Sequence, residues 1–98
     1  MTIAIRFYER NGEVLLAACD EELLGKTFKS GEMRLTVSKT FYHRESVTEE
    51  EFPGIMNRAT AMNLVGDRTI SAAVEAGLVS PEGILRIEGV GHAQVVRM

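Results

Sequence analysis

Along the first eighteen residues, bulky apolar side chains come in two different patterns. Ile3, Ile5 and Phe7 alternate with Thr2, Ala4 and Arg6, which predicts a strand with one buried face. Val14, Leu15, Leu16, Ala17 and Ala18 form an unbroken apolar run, as expected of a central strand covered on both faces. Between them, Arg10-Asn11-Gly12 supplies residues that tolerate positive φ, so the two segments read as a hairpin. Asp20 can cap a single helical turn that Gly25 ends. Met33, Leu35 and Val37 then alternate with Arg34, Thr36 and Ser38, a third strand with one wet face. Phe41-Tyr42-His43-Arg44 leads into a loop.

Beyond that loop the period changes from two to about three and a half. Thr48 and Glu51 form a T-x-x-E capping box, and Val47 before it is placed to staple onto Phe52. Phe52, Ile55, Met56, Ala59 and Met62 continue the apolar stripe, predicting a helix over Phe52–Leu64. Pro53 lies early in it and would delay the regular turns by a residue or two. Gly66-Asp67 interrupts the stripe. Asp67 can cap a second helix buried through Ile70, Ala73, Val74 and Leu78 and stopped by Gly77. Ser80-Pro81-Glu82-Gly83 is a turn, and Ile84–Ile87 and Gln94–Arg97 read as short strands joined by Gly89-Val90-Gly91-His92.

The order β-β-β-α-α-β-β groups strands with strands and helices together. That predicts an α+β, two-layer fold: a mixed or antiparallel sheet of about five strands with two helices on one face. A chain of 98 residues encloses a single core, so residues 1–98 are expected to form one domain.

Composition narrows the function classes. The longest wholly apolar run, Val14 to Cys19, is far short of the roughly 20 residues that span a bilayer. The N-terminal alternation lacks the basic-then-apolar layout of a signal peptide. One cysteine makes no internal disulfide and no cysteine-rich zinc site, which points to the reducing cytoplasm. The net charge is −3, with seven basic and seven acidic residues in 1–46 but four and seven in 47–98. No basic run supplies the field that tight, autonomous nucleic-acid binding needs. A weak contact inside a larger assembly is compatible with that charge.

Candidate chemistry is sparse. Gly25-Lys26-Thr27 ends like a phosphate-binding loop, but the glycine required five positions earlier is Asp20, whose charge would repel a phosphate. Cys19 closes an apolar run and reads as a buried small hydrophobe. Asp20, Glu21 and Glu22 beside it oppose the thiolate a nucleophile requires. The sharper reading pairs Cys19 with His92 as a base. His43 and His92 have no metal-ligand spacing, and neither a metal nor a cofactor is implied. Asn63, on the predicted apolar stripe, either hydrogen-bonds loop backbone or lines a small cleft with His92 and Gln94.

The segments EVLLAACDEELLGKTF, RATAMNLVGDRTISAAVEAGLV and GVGHAQVVRM, in that order, resemble a family of short archaeal proteins known only as a domain of unknown function. The likeness runs almost end to end and implies an archaeal, cytoplasmic α+β domain; it carries no activity. It draws attention to Cys19, Asp20, Asn63, His92 and Gln94, which stand in its motifs. In the family the last motif often reads Gly-Val-Pro-His-Ala-Gln. Gly91 stands at the proline's place, implying a less rigid loop.

Two expectations follow for function. The first is a non-enzymatic interaction module in an intracellular protein or ribonucleoprotein assembly, translation-related in the first instance and not at a membrane. The second is a small enzyme or small-molecule binder built on Cys19, Asn63, His92 and Gln94.

Overall fold

The computed structural model describes residues 2–97. The opening hairpin is as expected: β1 (Thr2–Arg10) pairs antiparallel with β2 (Glu13–Asp20) around Asn11 and Gly12, whose φ of +52° and +81° make the type I′ turn. A 3-10 turn, Glu21–Leu23, follows. β3 (Thr27–Ser30) and β4 (Met33–Thr36) form a second hairpin, and α1 (Lys39–Tyr42) comes after it, where the sequence pattern indicated a loop. Ser38 starts that helix by accepting a 3.2 Å bond from the Phe41 amide. Next come β5 (Glu45–Thr48), α2 (Phe52–Met56), β6 (Ala61–Val65) and α3 (Asp67–Glu75). A final hairpin of β7 (Leu85–Ile87) and β8 (Val90–Val96) completes the chain.

The fold is α+β, but the described residues form eight strands where about five were expected, and their order differs. Six form one sheet in the order β5-β1-β2-β6-β8-β7; β3 and β4 form a separate two-stranded sheet. The large sheet is mixed, with β2 and β6 parallel and its other pairs antiparallel.

The largest departure is the expected helix over Phe52–Leu64. Its capping box is present: Thr48 N–H donates to Glu51 Oε1 at 2.9 Å and Glu51 N–H to Thr48 Oγ1 at 3.1 Å. The helix nevertheless stops at Met56, and 61–65 is a strand. Met62 is compatible with the helical stripe, yet Met62 and Leu64 also satisfy a period of two. Between β2 and β8 that second reading gains a ladder on each side. Thr60 anchors the entry, donating its amide to Val14 O at 2.8 Å and accepting the Val14 amide on Oγ1 at 2.9 Å.

The last hairpin is also displaced from expectation. Its turn is Glu88-Gly89, so Gly91 and His92 belong to β8 and not to a flexible loop. Gly91 is small for a packing reason: a Cβ there would lie 2.9 Å from Ile70 Cδ1.

Two clusters of apolar side chains cover the two faces of the large sheet. On one, Ile3, Ile5, Leu16, Met62, Leu64 and Ala93 meet Phe52 and Met56 of α2 and Ile70 and Ala73 of α3. Each large side chain buried there contributes roughly 1.5–3 kcal/mol. On the other, Ala4, Ala17, Cys19, Val65 and Ile87 meet Leu35 and Val37 after the second hairpin and Tyr42 of α1. The two-layer expectation therefore becomes three partial layers, because the β3–β4 hairpin folds over the face away from α2 and α3.

Candidate functional site

On this second face the register lays side chains in rows across the strands. Ala4, Cys19, Val65 and His92 form one row; Arg6, Ala17, Asn63 and Gln94 the next; Tyr8, Leu15, Ala61 and Val96 a third. Four of the five residues singled out from sequence thus share a face. Asp20 does not.

Asp20, one residue beyond Cys19, points the opposite way, to the N-terminus of α3. Its Oδ1 accepts from the Thr69 amide at 2.9 Å and from Thr69 Oγ1 at 2.8 Å, and its Oδ2 from the Arg68 amide at 3.2 Å. It is 3% exposed, so these bonds consume the carboxylate. The sequence pattern had placed Asp20 as cap of the turn that follows it and Asp67 as cap of α3. In the structure Gly66 occupies the α3 cap position with φ +104°, and Asp20 supplies the oxygens from a distant strand. A Cβ on Gly66 would fall 2.4 Å from Asp20 Cγ, which excludes any larger residue.

Cys19 is fully buried. Burial first, then the charges of Asp20, Glu22 and Glu21, push its thiol up to about 12 from 9.0. His92 is two strands away across Val65, about 10 Å at ordinary strand spacing, so the row does not assemble a Cys-His pair.

Asn63 and His92 do meet, on strands and not on a helix. Asn63 Oδ1 accepts from His92 Nε2 at 3.1 Å and from the Tyr42 hydroxyl at 2.7 Å. Tyr42 is 4% exposed, and burial, with Cys19 nearby, raises its hydroxyl to about 12. Burial lowers the His92 pKa from 6.5, keeping the ring neutral. Gln94 lies directly opposite Asn63 in the register and is exposed. Tyr42 is the member sequence reading missed. It sits in a segment with no periodicity, and only α1 brings it over the sheet.

The third row is also absent from the sequence reading. Tyr8, Leu15 and Ala61 are half-buried and Val96 is 75% exposed, and they border a cleft of about 470 Å³ with Arg10 and Arg97 at its rim. Alternation in β1 places Arg6 and Tyr8 together on this face, opposite Ile3, Ile5 and Phe7. Among the described residues no group of three or more His, Cys, Asp or Glu is arranged to hold a metal ion, and no helix is long and apolar enough to cross a membrane.

A mixed six-stranded sheet, with helices over one face and a hairpin over half of the other, defines a small α+β protein. A family model described as a protein of unknown function (DUF424) matches residues 8–98, and the chain belongs to that family. Its fold is similar to that of an uncharacterized conserved protein from Methanopyrus kandleri, with a TM-score of 0.84 and 27% identity over 100% of this chain and 95% of that one. That neighbour supports the archaeal origin implied by the motifs. None of the curated proteins matches the chain.

Proposed function

We propose that this protein is a non-enzymatic docking module that works in the cytoplasm within a larger assembly, binding a partner protein on the uncovered part of its sheet. The observation that carries this reading is the row Tyr8, Leu15, Ala61 and Val96. It continues the same face that the β3–β4 hairpin covers around Cys19; Tyr8 at its near end packs on Phe41 of α1, and Leu15, Ala61 and Val96 beyond it belong to neither buried cluster among the described residues. An apolar row in the middle of a sheet loses the stabilisation of burial when left in water, and a partner restores it. The alternative, thiol chemistry with His92 as base, has little support. The thiol is buried and neutral at ordinary pH, and the His92 Nε2 proton is engaged by Asn63.

Site-specific photo-cross-linking tests the docking surface. Benzoylphenylalanine placed at Val96 should cross-link a discrete protein in native lysate, and the same probe at Glu32, on the tip of the β3–β4 hairpin, should not capture it. Equal capture from both positions, or none from Val96, would remove this face as the docking surface.

A further inference from the structure

Resting on the docking surface above, we infer that the partner reaches it as an extended segment, adding an antiparallel strand with apolar residues to the open end of β8. The backbone carries this. Arg97 N–H donates to Thr60 O and Gly66 N–H to Gly91 O, so the odd-numbered residues along β8 exchange their ladder bonds with β6. Gln94 and Val96 therefore turn their N–H and C=O groups to the other side. There β7 pairs only with Val90–His92, and past its end no strand meets them among the described residues. A partner strand in that gap, end to end with β7, satisfies both N–H and both C=O groups at once. Antiparallel is the direction in which directly opposed residues exchange both bonds, and it is the direction β7 already takes.

The side chains around the gap set the chemistry. Val96 stands on the second face at one end of it, and Leu85, opposite His92, stands on the same face at the other; both are exposed. Partner residues opposite Val96 and Gln94 rise on that face, the first beside Val96 and the second in line with Leu85. Apolar, β-branched side chains there bury surface across the pair. Arg97, the residue after β8, is turned to the opposite face, where it donates to Met56 O and Ala59 O at 3.3 and 3.4 Å. The other edge left open at this end of the sheet is guarded. Beside Phe7–Arg10 of β1 stand exposed Glu9 and Arg10, Arg44 and Glu45 where β5 starts, and the Arg58 guanidinium 4.5 Å from the centre of the Phe7 ring. Charges of that kind deter an apolar strand, and Gln94–Val96 carries none.

A fluorescein-labelled peptide of alternating valine and threonine, with a lysine at each end for solubility, tests the occupant against the full chain. Paired as inferred, its valines share a face with Val96 and turn their N–H groups to β8, and the threonine N–H groups point away. In hydrogen exchange followed by NMR, the Gln94 and Val96 amides should exchange fast in the free chain and become protected when the peptide binds. Methylating the valine nitrogens should weaken binding about tenfold or more through lost hydrogen bonds, and methylating the threonine nitrogens should leave it within about threefold. Val96→Pro should abolish binding, because it removes an N–H that faces the gap, and the Arg97 amide should stay protected by Thr60 O. If the two methylated peptides bind alike while the lysate cross-link from Val96 persists, the docking face stands and the extended segment is wrong. If no peptide protects Gln94 and Val96, or Val96→Pro binds as the unaltered chain does, the inference fails. Protection of these two amides in the free chain that is lost on dilution would also overturn it, by putting a second copy on the edge.

Discussion

The two ends of β2 belong to one strand and behave as two kinds of surface. At its finish, Cys19 is sealed beneath Leu35, Val37 and Tyr42, and Asp20 is held by two backbone amides and a hydroxyl. At its start, Leu15 lies half-buried in a row whose far member, Val96, is mostly in water. The residues with the most suggestive chemistry are at the finish, and they are already satisfied. Buried groups with complete hydrogen bonding maintain the fold, and groups left available are those a partner can use. Reactive residue types therefore gather at the sealed finish of the strand, away from the row that the proposed docking would use.

Asp20→Ala should have the largest effect on stability. Removing the carboxylate leaves the Thr69 amide and hydroxyl without their partner at the start of α3, at a cost of about 2–4 kcal/mol in urea unfolding. Asp20→Asn, which keeps an acceptor, should lose less. A loss below half a kcal/mol for Asp20→Ala would leave the carboxylate free for a ligand and undo the contrast between the ends.

Asn63→Ala comes next, at about 1–3 kcal/mol, because it strips the acceptor from the buried Tyr42 hydroxyl. The same variant separates structure from function: near-normal stability with abolished partner capture would transfer Asn63 to the docking surface.

The sealed end should also show in alkaline titration. Cys19 and Tyr42 ionise at about 12 in the fold, against 9.0 and 10.0 ordinarily. Between those values the folded chain retains protons that the unfolded chain releases, so stability is complete below about pH 9 and falls as pH rises toward 12. The loss should reach about 2 kcal/mol by pH 10, most of it from Cys19, and Cys19→Ala should delay its onset toward pH 10. His92 has the opposite sign. Its lowered pKa means that the unfolded chain takes up the proton first, so its contribution is present above about 6.5 and declines as the solution is acidified through the folded pKa. Urea midpoints across the pH range would read both limbs.

The smallest effect belongs to the open end. Val96→Asp should change stability by no more than about 0.5 kcal/mol, while removing the cross-link at that face. A large destabilisation would mean that Val96 is a packing residue after all.

What was legible in the sequence rests on neighbours along the chain. Asn11-Gly12 needs only local φ to make its turn, the alternation of Ile3 and Ile5 needs only a sheet to lie on, and the reluctance of Cys19 to ionise follows from burial and the three carboxylates beside it. The α+β class came from the same signals. Tertiary structure decided everything in which two local answers were available. Residues 61–65 carried both a helical and a strand period, and became a strand because β2 and β8 offered hydrogen-bond partners on either side. Asp20 could cap the turn after it or a helix nearly fifty residues on, and went to α3 because Gly66 leaves room for its carboxylate. Tyr42 reached Asn63 only once α1 had folded over the sheet. Whether Leu15 and Val96 face protein or water is a property of the cover above them. A hydrophobicity pattern reports which side chains avoid water, and only long-range contacts determine which of them find cover.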